Sequence, residues 1–254
     1  MTPPGHAPAV WADRIAAAPR ITPDDLAAHL AGHRASWPAL LVVAAHPDDE
    51  TIGLGRLASA WSRHAEVIGL LASAGEACVD HVMARPAGLA QRREAEWRTA
   101  TARLGFGALH TLRLPDGRLA AYEEALVAAL DALLDPTSEP GSVVLAAPWR
   151  LDPHPDHQAV GRATARVARD LGLPLLEYPI WATYWARPSE LDRHRQTLLV
   201  VRSDDEAETA YAEALAAFRT QLEPLDDTVS AVVPAEMLTH HDQQLVVLDP
   251  LEAR

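Results

Sequence analysis

The feature that most constrains this chain is a rhythm. Short apolar runs of strand length alternate with longer helical stretches five times in succession. The runs are 39–45 (ALLVVAA), 66–73, 109–114, 142–147 (SVVLAA) and 173–181. Between them lie 51–64, 88–104, 120–134 and 158–171, with Gly105 standing where a helix stop belongs. Near-continuous apolar runs mark strands buried on both faces. Their alternation with helices argues for a parallel sheet covered on both sides. Beyond 181 the order loosens: 197–202 reads as a strand, 204–222 as a helix and 229–248 as a mixed tail. Residues 1–36 read as a helical, Pro-punctuated extension, with Asp24 and Asp25 as caps of a short helix running to about His33. No repeat, low-complexity tract or linker divides the rest, so the expected organisation is one domain, 37–254, carrying that extension.

Composition narrows the classes of function. The 254 residues hold 22 basic side chains, all arginine, against 35 acidic ones, a formal net charge of −13. Such a chain is a poor electrostatic partner for nucleic acid or an anionic membrane. A hydrophobic content of 48% excludes a disordered chain. The single cysteine, Cys78, excludes an intramolecular disulfide framework and a Cys-rich zinc site. The start lacks a basic segment followed by an apolar one, and no apolar run approaches the roughly 20 residues that span a bilayer. A cytoplasmic location is expected; homo-oligomerisation is left open.

Two polar clusters stand where such a sheet puts chemistry. His46-Pro47-Asp48-Asp49-Glu50 follows the first run, and Asp152-Pro153-His154-Pro155-Asp156-His157 follows the fourth. Ligands of open parallel sheets bind beyond the carboxyl ends of the strands, where strand order reverses. With the order 3-2-1-4-5, the first and fourth runs are neighbours and both clusters face one crevice. Imidazole and carboxylate suit zinc, whose catalytic sites use three protein ligands and leave a position for water. Two histidines from different loops and one carboxylate supply that count. Asp48 and Asp49 diverge, so one can bind metal while the other meets its water; spacing alone does not choose between them. His154 and His157 stand i, i+3 over a helix start, with Pro155 suited to the first turn. A metal so held polarises a carbonyl and brings the pKa of its water to about 7. A neighbouring carboxylate then serves as general base and an imidazole as oxyanion donor or acid. The reaction class is metal-assisted hydrolysis of an amide or ester.

Each cluster alone has a bland reading. Asp at a strand-to-helix turn is most often an N-cap, and a lone loop His is more often a surface hydrogen-bonding residue than a ligand. Two clusters at the carboxyl ends of neighbouring parallel strands make coincidence a poor account.

The clusters resemble the paired motifs of the LmbE/PIG-L-like zinc-dependent de-N-acetylases. That family includes enzymes acting on N-acetylglucosaminyl-phosphatidylinositol and on sugar-conjugate precursors of low-molecular-weight thiols. Its first motif, (A)HPDDE with spaced glycines, reads here Ala45-His46-Pro47-Asp48-Asp49-Glu50-Thr51-Ile52-Gly53-Leu54-Gly55, and its second, HPDH, reads His154-Pro155-Asp156-His157. The similarity extends through Gly75-Glu76, Arg93 with Glu96, Leu104-Gly105, Leu114-Pro115-Asp116-Gly117 and 177–181, so roughly residues 39–185, with a weaker echo at 218–221. It implies a Rossmann-like three-layer α/β sandwich with a mainly parallel sheet. It also implies one Zn²⁺ per chain, other divalent metals allowed, held by His46, Asp49 and His157. By the same resemblance Asp48 is the general base, His154 the oxyanion stabiliser or general acid, and Asp152 the partner that orients a catalytic histidine. Arg93 and Asp116 are implied to meet substrate, although an exposed Arg93–Glu96 pair weighs equally. Trp181 clusters with Tyr184 and Trp185, and its face suits a sugar ring as well as a core.

Some residues depart from the pattern. Arg56 stands where the family usually has another glycine, either changing helix packing or adding a cation near the cleft. His240-His241 reads as a solvated pair, and Cys78, without a local basic neighbour, as a buried or idle thiol. Gly53-x-Gly55 lacks the third glycine of a nucleotide loop, Ala58 standing there. The expected function is a zinc hydrolase that removes an N-acyl group, acetyl first, from an amino-sugar-containing small molecule. Rivals are an amidase of a larger sugar conjugate, a divalent-metal phosphoesterase and a metal- or sugar-binding module without catalysis.

Overall fold

The computed structural model describes residues 5–32, 36–80, 83–134, 142–189, 191, 196–226 and 229–248. Its strands are β1 (Arg20–Ile21), β2 (Ala39–Ala44), β3 (Val67–Leu71), β4 (Ala108–Thr111), β5 (Val143–Pro148), β6 (Leu175–Tyr178), β7 (Thr197–Val201) and β8 (Gln244–Leu248). They form one sheet in the order β1-β7-β8-β6-β5-β2-β3-β4. Helices α1 (Ala9–Ala17), α2 (Pro23–Ala31), α3 (Asp49–Ser62), α4 (Leu89–Arg103), α5 (Glu123–Leu133), α6 (Pro155–Leu171), α7 (Ala182–Trp185) and α8 (Asp205–Leu215) are joined by two short turns of helix, α9 (Arg219–Leu222) and α10 (Ala235–Leu238).

Strand β2 shows why the apolar runs are continuous. Leu40 and Val42 join one core with Leu54, Leu57 and Trp61 of α3. Leu41 and Val43, between them, join another with Leu126 and Leu130 of α5 and Val160 of α6. Side chains of period two thus bury both faces, and the result is an α/β sandwich of three layers. The five runs pair in parallel in the order β4-β3-β2-β5-β6, which is the expected 3-2-1-4-5. Ala39 lies opposite Val143 in that register, so the loops after β2 and β5 emerge side by side.

The flanks refine the sequence reading. Strand β8 is antiparallel to both β6 and β7, and β1 pairs in parallel with β7. Residues of the expected N-terminal extension therefore belong to the sheet. Helix α2 is capped by Thr22, whose Oγ accepts the Asp25 N–H at 3.1 Å, rather than by Asp24 or Asp25. The helix ends at Ala31, and the expected end at His33 lies outside the described residues. The single helix expected over 204–222 is two. Phe218, fully buried, takes a non-helical backbone (φ −85°, ψ 60°), and Glu96 captures the Thr220 N–H and hydroxyl at 3.0 and 2.6 Å. Among the described residues no helix is long and apolar enough to cross a membrane.

Helix α6 rides close on the end of β5 because of Gly161. A Cβ there would meet Pro148 O at 2.6 Å and the Arg150 backbone at 2.7 and 2.8 Å. Gly161→Ala is expected to destabilise the fold by about 1–3 kcal/mol, since backbone cannot yield as a side-chain tip does. Urea unfolding checks this; an unchanged midpoint would refute the tight contact.

Candidate active site

Helices α3 and α6 begin directly after the β2 and β5 loops, and their first turns carry the two clusters. Asp48 holds φ 118°, a region that side chains rarely adopt, and makes no capping hydrogen bond to α3. Its carboxylate lines the cleft instead, so the N-cap reading of this residue fails. Asp49 turns back, accepting the His46 backbone N–H at 2.8 Å through Oδ2. The cap of α6 is His154, whose Nδ1 accepts the Asp156 N–H at 3.2 Å. Its proton therefore resides on Nε2.

The two other histidines share one arrangement, a nitrogen held by carboxylate and a nitrogen beside Asp49. His157 Nδ1 lies 3.1 Å from Asp152 Oδ1, both residues fully buried. Its Nε2 is buried without a hydrogen-bond partner, 3.2 Å from Asp49 Oδ1. His46 Nε2 lies 3.1 Å from Asp116 Oδ1 and 3.2 Å from Asp156 Oδ2, while its Nδ1 is 3.4 Å from Asp49 Oδ2. Asp49 thus stands between two imidazole nitrogens whose ring partners are already fixed as donors. Electron-rich atoms in such an array call for a cation, and carboxylate-held imidazoles are how proteins present nitrogen to zinc. The residues fit the metal. His46, His154 and His157 also bring one nitrogen each within 4.8 Å of one another, as do His46, Asp116 and Asp156 with one atom each.

The electrostatics agree. Burial opposes charge on His157, yet Asp49 and Asp152 overcome it and raise the imidazole to about 9. Asp49 is held well below the usual carboxylate range against its own burial, chiefly by His157. Burial, then the charge of Asp49, pushes Asp48 up to about 7, with Arg93 opposing. Burial and the neighbouring His157 and His46 depress His154 to about 3. One imidazole is kept neutral among groups that want positive charge.

Arg93 is buried and not paired with Glu96. It donates to Gly75 O, and to Pro47 O at 3.3 Å, and lies 3.9 Å from Asp48 Oδ2. It therefore braces both loops and faces the cleft. Asp116 lines the cleft too, but its carboxylate also holds His46 and accepts the Ala77 N–H at 2.7 Å. Trp181 lines the cleft and stacks on Trp185 at 4.3 Å. Asp152 accepts from Ile180 and Ala182 N–H, both at 3.0 Å, as well as fixing His157.

Three readings need correction. Arg56 is no substrate cation: it is buried, bonded to Glu208 at 2.8 Å and His241 O at 2.9 Å, and stacked on Tyr211. It fastens α3 to α8 and the tail. His240 and His241 are buried rather than solvated, His241 Nε2 meeting Ile180 O at 3.0 Å. Cys78 does have a cationic neighbour in space, since it lines the cleft with Arg93, although burial still pushes its thiol up. Sequence reasoning missed Asp156 as a partner of His46; its place inside HPDH was the available signal. It also missed Gln221, Val233 and Met237, which close the cleft from the tail.

The sequence model of one family, PIG-L: GlcNAc-PI de-N-acetylase, matches residues 41–168. Among solved structures, the conserved protein TT1542 from Thermus thermophilus is 26% identical, with a TM-score of 0.52 over 72% of this chain and 79% of that one. The zinc-inhibited form of teicoplanin deacetylase Orf2 has a TM-score of 0.65 at 13% identity, over 82% and 97% of the two chains. N,N'-diacetylchitobiose deacetylase from Pyrococcus horikoshii, complexed with its inhibitor MPG, has 0.50 at 19%, over 76% of each. At these identities the two deacetylases speak for the fold. No curated protein matches the chain.

Because Asp152 fixes the ring of His157 and three backbone N–H groups, those of His154, Ile180 and Ala182, Asp152→Asn should weaken binding of added Zn²⁺ about 10–100-fold. Competition against a chelator of known affinity measures it, and affinity within twofold of the parent would show that Asp152 does not orient the ligand.

Proposed function

Since the chain belongs to the PIG-L, GlcNAc-PI de-N-acetylase family, we propose that it is a zinc-dependent hydrolase removing an N-acyl group from an amino-sugar-containing small molecule. Acetyl is the acyl group that the family's de-N-acetylase activity points to. The observation that carries this reading is Asp49 between the available nitrogens of His46 and His157, with the uncapped carboxylate of Asp48 on the same turn.

His46, Asp49 and His157 would hold the metal. When bound, zinc supplies a Lewis acid for the amide carbonyl and acidifies a water molecule. The chain's own groups do the rest. Asp48 takes a proton from the attacking water; burial and Asp49 hold its carboxyl near neutrality, where a general base is most effective. His154 has Nδ1 occupied by the Asp156 N–H, which leaves Nε2–H as a neutral donor for the developing oxyanion. This favours oxyanion stabilisation over acid catalysis for His154. The proton collected by Asp48 goes to the departing nitrogen as the C–N bond breaks. Water and amide are consumed, and carboxylate and amine are formed. Arg93 keeps the Asp48 turn in place through Pro47 O and Gly75 O. A cleft of about 170 Å³ accommodates a small molecule.

Two outcomes test the reading. Purified protein should release acetate and free amine from N-acetylated amino sugars, lose this on chelation and regain it with Zn²⁺; activity indifferent to chelation would exclude the metal role. Asp48→Asn should lower kcat by about 10²–10⁴ while metal content stays at the parent's level. A fully active variant would end the general-base assignment.

A further inference from the structure

Helix α7 is a single turn, and it is held at both ends. Its first N–H, on Ala182, donates to Asp152 Oδ2 at 3.0 Å, and the same carboxylate holds the ring of His157. At the other end the N-terminal segment takes hold. The His6 N–H donates to Tyr184 O at 2.7 Å, and the Trp11 indole N–H donates to Ala186 O at 3.0 Å. Side chains on a turn fixed in this way lose little freedom when a ligand settles on them, which favours affinity.

Trp181 and Trp185 stand at i, i+4 across this turn, so their rings share one face of it. They stack, with planes 13° apart and centroids at 4.3 Å. Both line the cleft, and among the described residues that line it they are the only aromatic rings besides imidazoles. The two are not equivalent. Trp181 is 8% exposed, with Trp185 stacked on it, and offers a ligand almost no area. Trp185 is half-buried on the same cleft.

The sugar carbon that bears the amide nitrogen is one bond from it, so the ring stays in the cleft where the carbonyl meets Asp48 and His154. A pyranose with equatorial substituents sends its hydroxyls outward from its edge and its axial C–H bonds to its faces. Such a face is flat and apolar, and an indole matches it. Small-molecule sites combine an apolar surface of this kind with a few polar groups, which Asp116 and Gln221 supply on the same cleft. An open-chain amino alcohol carrying the same groups has no such face.

Resting on the deacetylase reading above, we infer that the indole of Trp185, and not that of Trp181, is the platform on which the substrate's pyranose ring lies. Trp181 is the positioning residue behind it. The substrate class is therefore a cyclic amino sugar rather than an open-chain N-acetylated amine.

The experiment compares zinc-loaded full-length protein and its variants on methyl N-acetyl-β-glucosaminide and on N-acetylglucosaminitol, the ring-opened compound. The parent should prefer the ring by about tenfold in kcat/KM, the effect of covering roughly 55 Å² of apolar surface. Trp185→Ala should raise KM for the glucosaminide about tenfold, hold kcat within about twofold and bring the preference toward one, the mark of binding shared by ground and transition states. Trp185→Tyr should keep most of the preference. An unchanged KM in Trp185→Ala, or Trp185→Leu as effective as Trp185→Tyr, would overturn the inference. So would a fall in zinc affinity or thermal stability that accounts for the lost activity, since Trp185 would then be structural. Calorimetric titration with methyl β-glucosaminide, the amine product, gives a readout apart from turnover, and binding should be about tenfold weaker in Trp185→Ala. Equal product binding in parent and variant would overturn the platform alone, whereas no amine from either substrate would overturn the deacetylase reading.

Discussion

Asp152 has no exposed surface, and its two oxygens accept from four groups: the ring nitrogen of His157 and the backbone N–H groups of His154, Ile180 and Ala182. A buried carboxylate is tolerated only when it is so fully bonded. Those four bonds decide much of what surrounds it. They hold the ring of His157, the proposed metal ligand, the backbone of His154, the proposed oxyanion donor, and the backbone on either side of Trp181. The ring of His157 and the backbone around Trp181 are thereby fixed to a single group.

The other side of the site is built on the same rule with different partners. Asp156 accepts from Gly117 and Leu119 N–H at 2.7 and 3.0 Å and touches His46, so the loop after β4 is pinned to the first turn of α6. Asp116, on that loop, completes the hold on His46. Part of the chain's negative charge is concentrated here, in contact with imidazoles and peptide N–H groups that stabilise it. Charge of this kind is local machinery rather than a solvated surface.

Much of this was legible in the sequence because two constraints act there in plain form. A strand covered on both faces must be apolar throughout, which made β2, β3 and β5 visible. Metal chemistry needs imidazole and carboxylate at fixed offsets, which made His46, Asp49, His154 and His157 visible. What stayed hidden depends on partners remote in the chain. Arg56 reads as a lone cation until Glu208, Tyr211 and the carbonyl of His241 enclose it. Asp156 reads as an ordinary first-turn acid, since nothing local says that its carboxylate leaves the helix for the β4 loop. Strand β1 is two residues long, too short for any periodicity, and exists because β7 offers an edge. The break at Phe218 follows from a buried ring and from Glu96, neither of which helix propensity registers.

The antiparallel strand β8 has a consequence for how the molecule comes together. Among the described residues it is the last strand, yet it sits inside the sheet between β6 and β7, and β1 joins only through β7. During synthesis the N-terminal residues Arg20 and Ile21 are made first but have no seat until residues 244–248 have emerged. The five parallel strands can assemble before that moment, whereas the outer part of the sheet and the Met237 wall of the cleft cannot. A nascent chain therefore carries an unclosed sheet edge along β6 from the making of that strand until residues 244–248 emerge, and the same late event that covers this edge also completes the cleft.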